Sequence, residues 1–330
     1  MKRILVFALL LTAISPIATP VAHAADHQIC LAYDTGGPGD RSFNDAAAAG
    51  VKQAQKTLSF TLATTVTSGD AKDRLNRMRA LIAKQCAIVI AVGSGYAATI
   101  KELSTEFADQ QFAILNDVSI DALNVTAITF ADIQGAYLAG FAAALSSKSG
   151  KIAMIGYSSQ SSIYTNGFLA GARSAKKNIN AQVRYISGSA SAEAATLLRS
   201  GVDVVYLATT GSADDVFGVI VQANKTRSAQ RPAALINVEP DQFFTVDAAN
   251  KKFVIATIVK RVDLALLDLI KTTIAGSTLY DEIDPDLGVF GRSYGISQKA
   301  VEITVRSPAL LAAAKRINLA GKIAADLEAK

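Results

Sequence analysis

Asp34-Thr-Gly-Gly-Pro-Gly-Asp40-Arg-Ser-Phe-Asn44 lies between a short apolar run, Ile29-Cys-Leu-Ala-Tyr33, and an alanine-rich segment that begins at Asp45. The apolar run, bounded by turn residues, predicts a buried strand; Asp45-Ala-Ala-Ala-Ala49 predicts the opening of a helix. The stretch is therefore a strand-to-helix crossing with three glycines and a proline in it. In an open parallel sheet, ligands sit beyond the carboxyl ends of the strands, where such crossings gather. Glycine lets the backbone turn sharply and come close to a ligand. Two local readings stand side by side. One is a small-molecule loop in which Asp34 and the Ser-Phe-Asn triplet face a ligand. The other is an ordinary turn in which Asp40 or Ser42 caps the helix and Phe43 packs.

The same alternation continues outward. Strands are predicted at 60–65, 87–92, 112–115, 125–130, 152–155, 182–186, 203–207, 233–237 and 253–258, with one more at 287–290. Helices are predicted at 43–56, 71–84, 96–107, 133–147, 167–176, 192–199, 214–224 and 262–274, with a terminal helix at 308–328. This pattern predicts an α/β fold of two doubly wound parallel-sheet lobes. The pattern restarts after Ser147-Lys-Ser-Gly150. Residues 25–130, with about 255–285, are assigned to the first lobe, and 131–254, with about 286–330, to the second. A chain that crosses between lobes more than once makes a hinge, and hinged lobes close on a ligand between them.

The N-terminus reads as an address. Met1-Lys-Arg3 is basic, Ile4 to Ile14 is apolar and Ala22-His-Ala24 matches a cleavage site, so residues 1–24 are expected to be a signal peptide. The apolar run is shorter than the roughly 20 residues of a membrane span. The net charge of +5 falls to +3 once Lys2 and Arg3 are removed. That mild excess, without a Lys/Arg stripe, argues against a nucleic-acid partner. No lipobox precedes Cys30, so a freely soluble periplasmic protein is expected. Cys30 and Cys86 are the only cysteines. If strand order in the first sheet is 2-1-3, they lie on neighbouring strands and a disulfide can form; two buried free thiols are the alternative.

Catalytic groups are scarce. His27, at the start of the mature chain, is the single histidine left after cleavage, which disfavours a His-based triad or a His-rich metal centre. There is no phosphate-binding Walker loop, Cys-x-x-Cys or nucleophile elbow. No catalytic residue, metal ligand or cofactor is assigned. What remains are polar groups at strand ends: Asp34, Asn44, Ser94, Asp117, Gly211, Glu239 and Lys260. Carboxylates there need donors, and sugar hydroxyls or base N–H groups supply them. Each has a plain structural reading too. Asp34 and Asp117 can cap turns, Thr209-Thr-Gly-Ser212 can be a tight turn, and Glu239 with Lys260 can be an ion pair.

The Asp-x-Gly-Gly-x-x-Asp-x-Ser-Phe-Asn motif strongly resembles the basic membrane protein family, substrate-binding components of ABC transporters that include purine nucleoside receptors. Phe112-Ala-Ile-Leu-Asn-Asp117, Tyr137-Leu-Ala-Gly-Phe-Ala-Ala-Ala144, Gly167-Phe-Leu-Ala-Gly171, Gly201-Val-Asp-Val-Val205, Glu239-Pro-Asp-Gln242 and the stretch ending at Lys260 are similar to further family landmarks. The resemblance implies a type I periplasmic-binding-protein architecture. It also implies that Phe43 stacks on a base, that Asp34, Asn44 and Asp117 bond base edges, and that Gly211, Glu239 and Lys260 surround a ribose. Glu239 stands where the family has a shorter aspartate. Gly188-Ser-Ala190 stands where it has a Gly-Ser-Phe turn, which makes Tyr164 a candidate for the missing ring.

The expected function is capture of a nucleoside-like solute, purine nucleoside first, by a monomer that delivers it to ABC permease subunits. Two rivals are a ligand sensor for a membrane kinase or chemoreceptor and an exported nucleoside hydrolase using Asp34 and Asp117. The transport reading requires Phe43, Asp117 and Lys260 to line one interlobe pocket.

Overall fold

The computed structural model describes residues 27–40, 43–157, 161–209, 213–238, 242–244, 246–277, 288 and 290–327. The expected leader lies outside the described residues. The first half runs β1 Gln28–Tyr33, α1 Phe43–Ala54, β2 Thr61–Val66, α2 Ala71–Ile82, β3 Ile88–Ala91, α3 Ala97–Glu106, β4 Phe112–Leu115 and β5 Val125–Phe130. Then come α4 Asp132–Ser146, β6 Lys151–Tyr157, α5 Ser161–Ala175, β7 Asn180–Ile186, α6 Ala190–Arg199, β8 Val204–Ala208, α7 Asp214–Asn224 and β9 Ala234–Val238. The chain closes with β10 Val254–Lys260, α8 Val262–Ile274, β11 Gly291–Tyr294, β12 Val301–Val305, α9 Pro308–Ala312 and α10 Ala314–Ala325.

Two six-stranded sheets result, ordered β11-β5-β4-β3-β1-β2 and β12-β10-β9-β8-β6-β7. β3, β4, β8 and β9 are buried at every position, because helices cover both faces of a parallel sheet. The 2-1-3 order places the chain before β3 beside β1, and Cys30 is joined to Cys86 by a disulfide with Cα atoms 5.8 Å apart. The bridge spans 56 positions. A loop of that length is worth about 4 kcal/mol in the chain-entropy account. It is packed among Met78, Leu81 and Val89 in one core of the first lobe.

α4 is apolar on nearly all sides because it is the central helix of the second lobe. Gly140 lies on the Phe168 carbonyl and Gly171 on the Tyr137 carbonyl so closely that a Cβ at either would displace the α5 or α4 backbone. The Leu-Ala-Gly and Leu-Ala-Gly repeats at 138–140 and 169–171 thus mark a close helix–helix approach.

Three crossings join the lobes. The first is Phe130 to Asp132, between β5 and α4; the second is Lys260 to Val262, between β10 and α8; the third is Tyr294 to Val301, between β11 and β12. These positions differ from the expected bounds. Residues 254–260 pair with β9 and β12 and so belong to the second lobe, while 291–294 pair with β5 in the first. The second and third crossings therefore fall later than 255 and 286. β12 was not anticipated, and it is the one antiparallel strand of its sheet. The terminal helix is broken into α9 and α10 around Ala313. Of the strand expected at 287–290, Leu287 and Val289 lie outside the described residues. The crossings are tied to one another: Ala131 N donates to Tyr294 O at 2.9 Å and Arg261 N to Ala300 O at 2.8 Å.

Candidate functional site

Because β1, β3, β4 and β5 are parallel neighbours, Asp34, the Gly93–Tyr96 turn, Asp117 and Phe130 arrive at one edge of the first sheet. Asp34 is held there from several sides. Its Oδ1 receives Thr35 N at 2.9 Å and Arg74 Nη2 at 2.8 Å. Its Oδ2 faces the Gly93-Ser-Gly95 turn, so that a Cβ at Gly95 would lie 3.0 Å from Oδ2 and 2.8 Å from Arg74 Nη2. Arg74 also donates through Nη1 to Gly69 O at 2.7 Å and lies 5.4 Å from the centre of the Tyr96 ring. Tyr96 is wholly buried and donates to Tyr33 O at 2.8 Å, which braces the end of β1. Burial, with the nearby Asp34 charge, pushes the Tyr96 hydroxyl well above its ordinary pKa, so it stays a donor.

Asn44 is engaged by its own loop. Its Oδ1 accepts from Asp34 N at 3.0 Å, and its Nδ2 faces Asp40 Oδ2 at 2.8 Å and the carbonyls of Asp34 and Thr35 at 3.3 Å. Both amide protons are occupied by the loop itself. Asp40 Oδ2 and Oδ1 also receive Asn44 N and Asp45 N, at 3.3 and 3.2 Å, so Asp40 caps α1 as the plain reading held. Asn44 is thus the brace of the Asp34–Asp40 loop. Ser94 is exposed at the start of a single 3₁₀ turn. Asp117 folds back on its own chain, its Oδ1 accepting from Ser119 N at 2.8 Å and Ser119 Oγ at 2.6 Å. That arrangement leaves Oδ2 for other donors.

Lys260 ends β10 and is 2 % exposed. Its Nζ lies 2.5 Å from Asp132 Oδ1 and donates to the Tyr164 hydroxyl at 3.2 Å. Three rings surround it: Phe43 at 5.9 Å, Phe130 at 6.0 Å and Tyr164 at 5.8 Å. Phe43 and Phe130 belong to the first lobe, and they meet edge to face at 6.4 Å. Tyr164 belongs to α5 in the core of the second lobe. Burial, then the charge and hydrogen bond of Asp132, push the Tyr164 hydroxyl well above its ordinary pKa. Behind it, Tyr206 stacks on Phe168 at 5.8 Å, and its hydroxyl is buried with no hydrogen-bond partner among the described residues.

Phe43 and Lys260 therefore come together from different lobes, and Tyr164 joins them. Asp34, Ser94 and Asp117 share the facing sheet edge. Gly211 and Glu239 lie outside the described residues. Tyr164 is 5 % exposed, with its hydroxyl turned to Lys260 and Asp132. Ala190, where a second ring was expected to be missing, is the first residue of α6. Sequence reasoning overlooked Arg74 and Asp132. The signal for Asp132 was its place directly after a buried strand; Arg74 carried none beyond its charge. No cluster of metal-ligating side chains is found among the described residues. No helix among them is long and apolar enough to cross a membrane.

The profile of the family described as "Bmp: ABC transporter substrate-binding protein PnrA-like" matches residues 29–322. The chain is 29% identical over 270 residues to a CD4+ T-cell-stimulating antigen of Listeria innocua serovar 6a, covering 76% of this chain and 74% of that one. It is 29% identical over 264 residues to the ABC transporter nucleoside-binding protein BmpA of Lactococcus lactis subsp. cremoris, covering 75% of each. Among solved structures, an ABC transporter solute-binding protein from Aeropyrum pernix K1 superposes with a TM-score of 0.64 at 19% identity, over 90% of this chain and 85% of that one. The shared architecture is that of the type I periplasmic-binding proteins.

Proposed function

Because the chain belongs to the Bmp family of PnrA-like ABC transporter substrate-binding proteins, we propose that it captures a nucleoside, a purine nucleoside first, between its two lobes. In this reading it delivers the nucleoside as an exported monomer to ABC permease subunits in the inner membrane. The observation that carries the reading is the meeting of Lys260 from the second lobe with the Phe43 and Phe130 rings of the first. A nucleoside has a flat, weakly polar base and a hydroxyl-rich sugar. An aromatic ring stacks on such a base for roughly 1–3 kcal/mol. Asp34 Oδ2 and Asp117 Oδ2, on the same sheet edge as Phe43, are acceptors for base N–H groups. Lys260 supplies a charge-assisted donor to sugar oxygens. Gly211 and Glu239 complete the ribose side by resemblance alone, and Asn44 acts by shaping the loop. The BmpA relative named above is described as nucleoside-binding, which supports the same ligand class.

Isothermal titration calorimetry of the mature chain against inosine, guanosine, adenosine, uridine, cytidine, the free bases and ribose tests the reading. A purine nucleoside is expected to bind at micromolar concentration or tighter, and Phe43→Ala to weaken it at least tenfold. Heat from no nucleoside in the panel removes the ligand class. Chromatography of the same mixtures reads the hydrolase rival directly, since released base would convert the binding protein into an enzyme.

A further inference from the structure

Asp132 ends the first crossing, and Lys260 begins the second. Their side chains meet at 2.5 Å although they are 128 positions apart in sequence. Building on the nucleoside reading above, we propose that Asp132, with Tyr164, is the positioning group that aims the Lys260 ammonium at a hydroxyl oxygen of the ligand's sugar.

An ammonium carries three N–H donors on a flexible four-carbon stem. The Tyr164 hydroxyl takes one, and the Asp132 carboxylate holds Nζ by charge at 2.5 Å without hydrogen-bond geometry. The hydrogen bond and the counter-charge together fix Nζ on the side of its own lobe. Among the described residues Nζ has no hydrogen-bond acceptor besides the Tyr164 hydroxyl. The Phe43 and Phe130 rings border Nζ from the opposite lobe and offer π faces, not hydrogen-bond acceptors. The ammonium is therefore bounded by polar partners on its own lobe and by the base-stacking ring on the other. That is the position from which it can reach a sugar attached to a stacked base.

Asp132 also supplies the counter-charge that a lysine exposed by only 2 % needs. Its Oδ1 is sealed from solvent and accepts no hydrogen bond among the described residues. Tyr164 stays neutral and accepts from Lys260 beside the Asp132 charge, so the three groups sit together. Tyr206, fully buried beside them with an unpartnered hydroxyl, makes the polar cluster deeper than a simple ion pair requires. A lysine fixed this way loses little freedom when the ligand arrives, which is the advantage of a preorganised site.

The probes are inosine and 2′,3′-dideoxyinosine, titrated calorimetrically into the mature wild-type chain and into Asp132→Asn, Tyr164→Phe, Lys260→Met and the Asp132→Asn/Lys260→Met double variant. Loss of the buried counter-charge predicts that Asp132→Asn weakens inosine by about tenfold or more, and loss of the Tyr164 hydrogen bond that Tyr164→Phe weakens it by about threefold. Dideoxyinosine, which lacks the sugar hydroxyls, should lose less than about twofold in either variant. In the Lys260→Met background, adding Asp132→Asn should cost less than about twofold, because the pair acts as one unit. Unchanged inosine affinity in Asp132→Asn, or equal losses for the two ligands, would overturn the positioning role and leave the nucleoside reading standing. If Asp132→Asn does not fold, Tyr164→Phe carries the same comparison. Absence of inosine binding by the wild-type chain would overturn the nucleoside reading and this inference with it.

Discussion

Asp34 and Arg74, forty positions apart in sequence, meet at 2.8 Å at the carboxyl edge of the first sheet. The pair rests on a shelf without side chains. Any Cβ at Gly95 would fall within 3.0 Å of both groups. Arg74 therefore orients Asp34 so that one carboxylate oxygen is occupied and the other faces the Gly93-Ser-Gly95 turn.

Arg74→Ala removes the orienting bond, the Gly69 contact and the stack on Tyr96 together. The pair is partly exposed, with side-chain exposures of 16 and 29 %. Its own contribution is therefore about 1 kcal/mol or less. The expected outcome is a roughly fivefold loss of nucleoside affinity with a small change in melting temperature. Gly95→Ala should reproduce the affinity loss by pushing the same two groups apart. Calorimetry on both variants checks this, and full affinity in Gly95→Ala would show that the shelf is not required.

Asn44→Ala should act differently, through the loop. It removes the partner of Asp34 N and of three acceptors at a residue that is 2 % exposed. Leaving buried backbone groups unpaired costs about 1–3 kcal/mol. Thermal unfolding should show a fall in melting temperature of at least about 2 °C, and affinity should drop with it. Asn44→Asp keeps the oxygen for Asp34 N but sets a second carboxylate beside Asp40, so it should not rescue.

These relationships explain what could be read from sequence and what could not. The runs Ile29–Tyr33, Phe112–Leu115 and Val125–Phe130 announce themselves because a parallel strand is buried on both faces. The two-lobe α/β fold follows from their alternation with helices. β12 was overlooked because a five-residue edge strand, buried at one position and part-exposed at the rest, carries little periodic signal. The Asp34–Arg74 and Lys260–Asp132 pairs were illegible for another reason. Each depends on how far two elements rotate against each other, which no local pattern encodes. Asp132 reads locally as an acid in the first turn of a helix, favourable to the dipole, and that plain role hides its reach to Lys260. Asn44 was legible as a motif residue, and its four contacts within the loop were not.

The acid limb of stability has an identifiable contributor. Asp73 accepts from Arg77, from Ser68 N at 2.8 Å and from Thr67 Oγ1 at 2.9 Å, closing the loop that carries Gly69 to Arg74. The Arg77 hydrogen bond, then that of Ser68, hold its carboxyl well below the usual carboxylate range. A depressed folded pKa means that the native state binds fewer protons than the unfolded one. The contribution is fully present above the unfolded value of about 4 and is lost as pH falls through the folded value. The melting-temperature gap between wild type and Asp73→Asn should be constant from about pH 7 to 5 and shrink below about pH 4. A gap that stays constant to pH 2.5 would assign acid sensitivity elsewhere.

Gln134 ties the hinge. Its Oε1 accepts from Ile296 N at 2.8 Å, within the third crossing, and its Nε2 donates to Ala325 O and Leu327 O at 3.3 and 3.2 Å, at the end of α10. It stands two residues after Asp132, so the first turn of α4 fastens the first crossing to both the third and the C-terminal helix. Gln134→Ala would leave the Ile296 N–H and two terminal carbonyls without this partner. Hydrogen exchange followed by mass spectrometry should show faster exchange confined to 294–300 and the end of α10, with protection in β1, β3 and β4 unchanged. The melting temperature should fall by a few degrees, as expected for about 1–3 kcal/mol from lost buried bonds. Gln134→Glu keeps Oε1 for Ile296 but sets a carboxylate against the two carbonyls, so it should restore protection at 294–300 and not at α10. Equal exchange at both places in the two variants would show that the crossings are held by their backbone bonds alone.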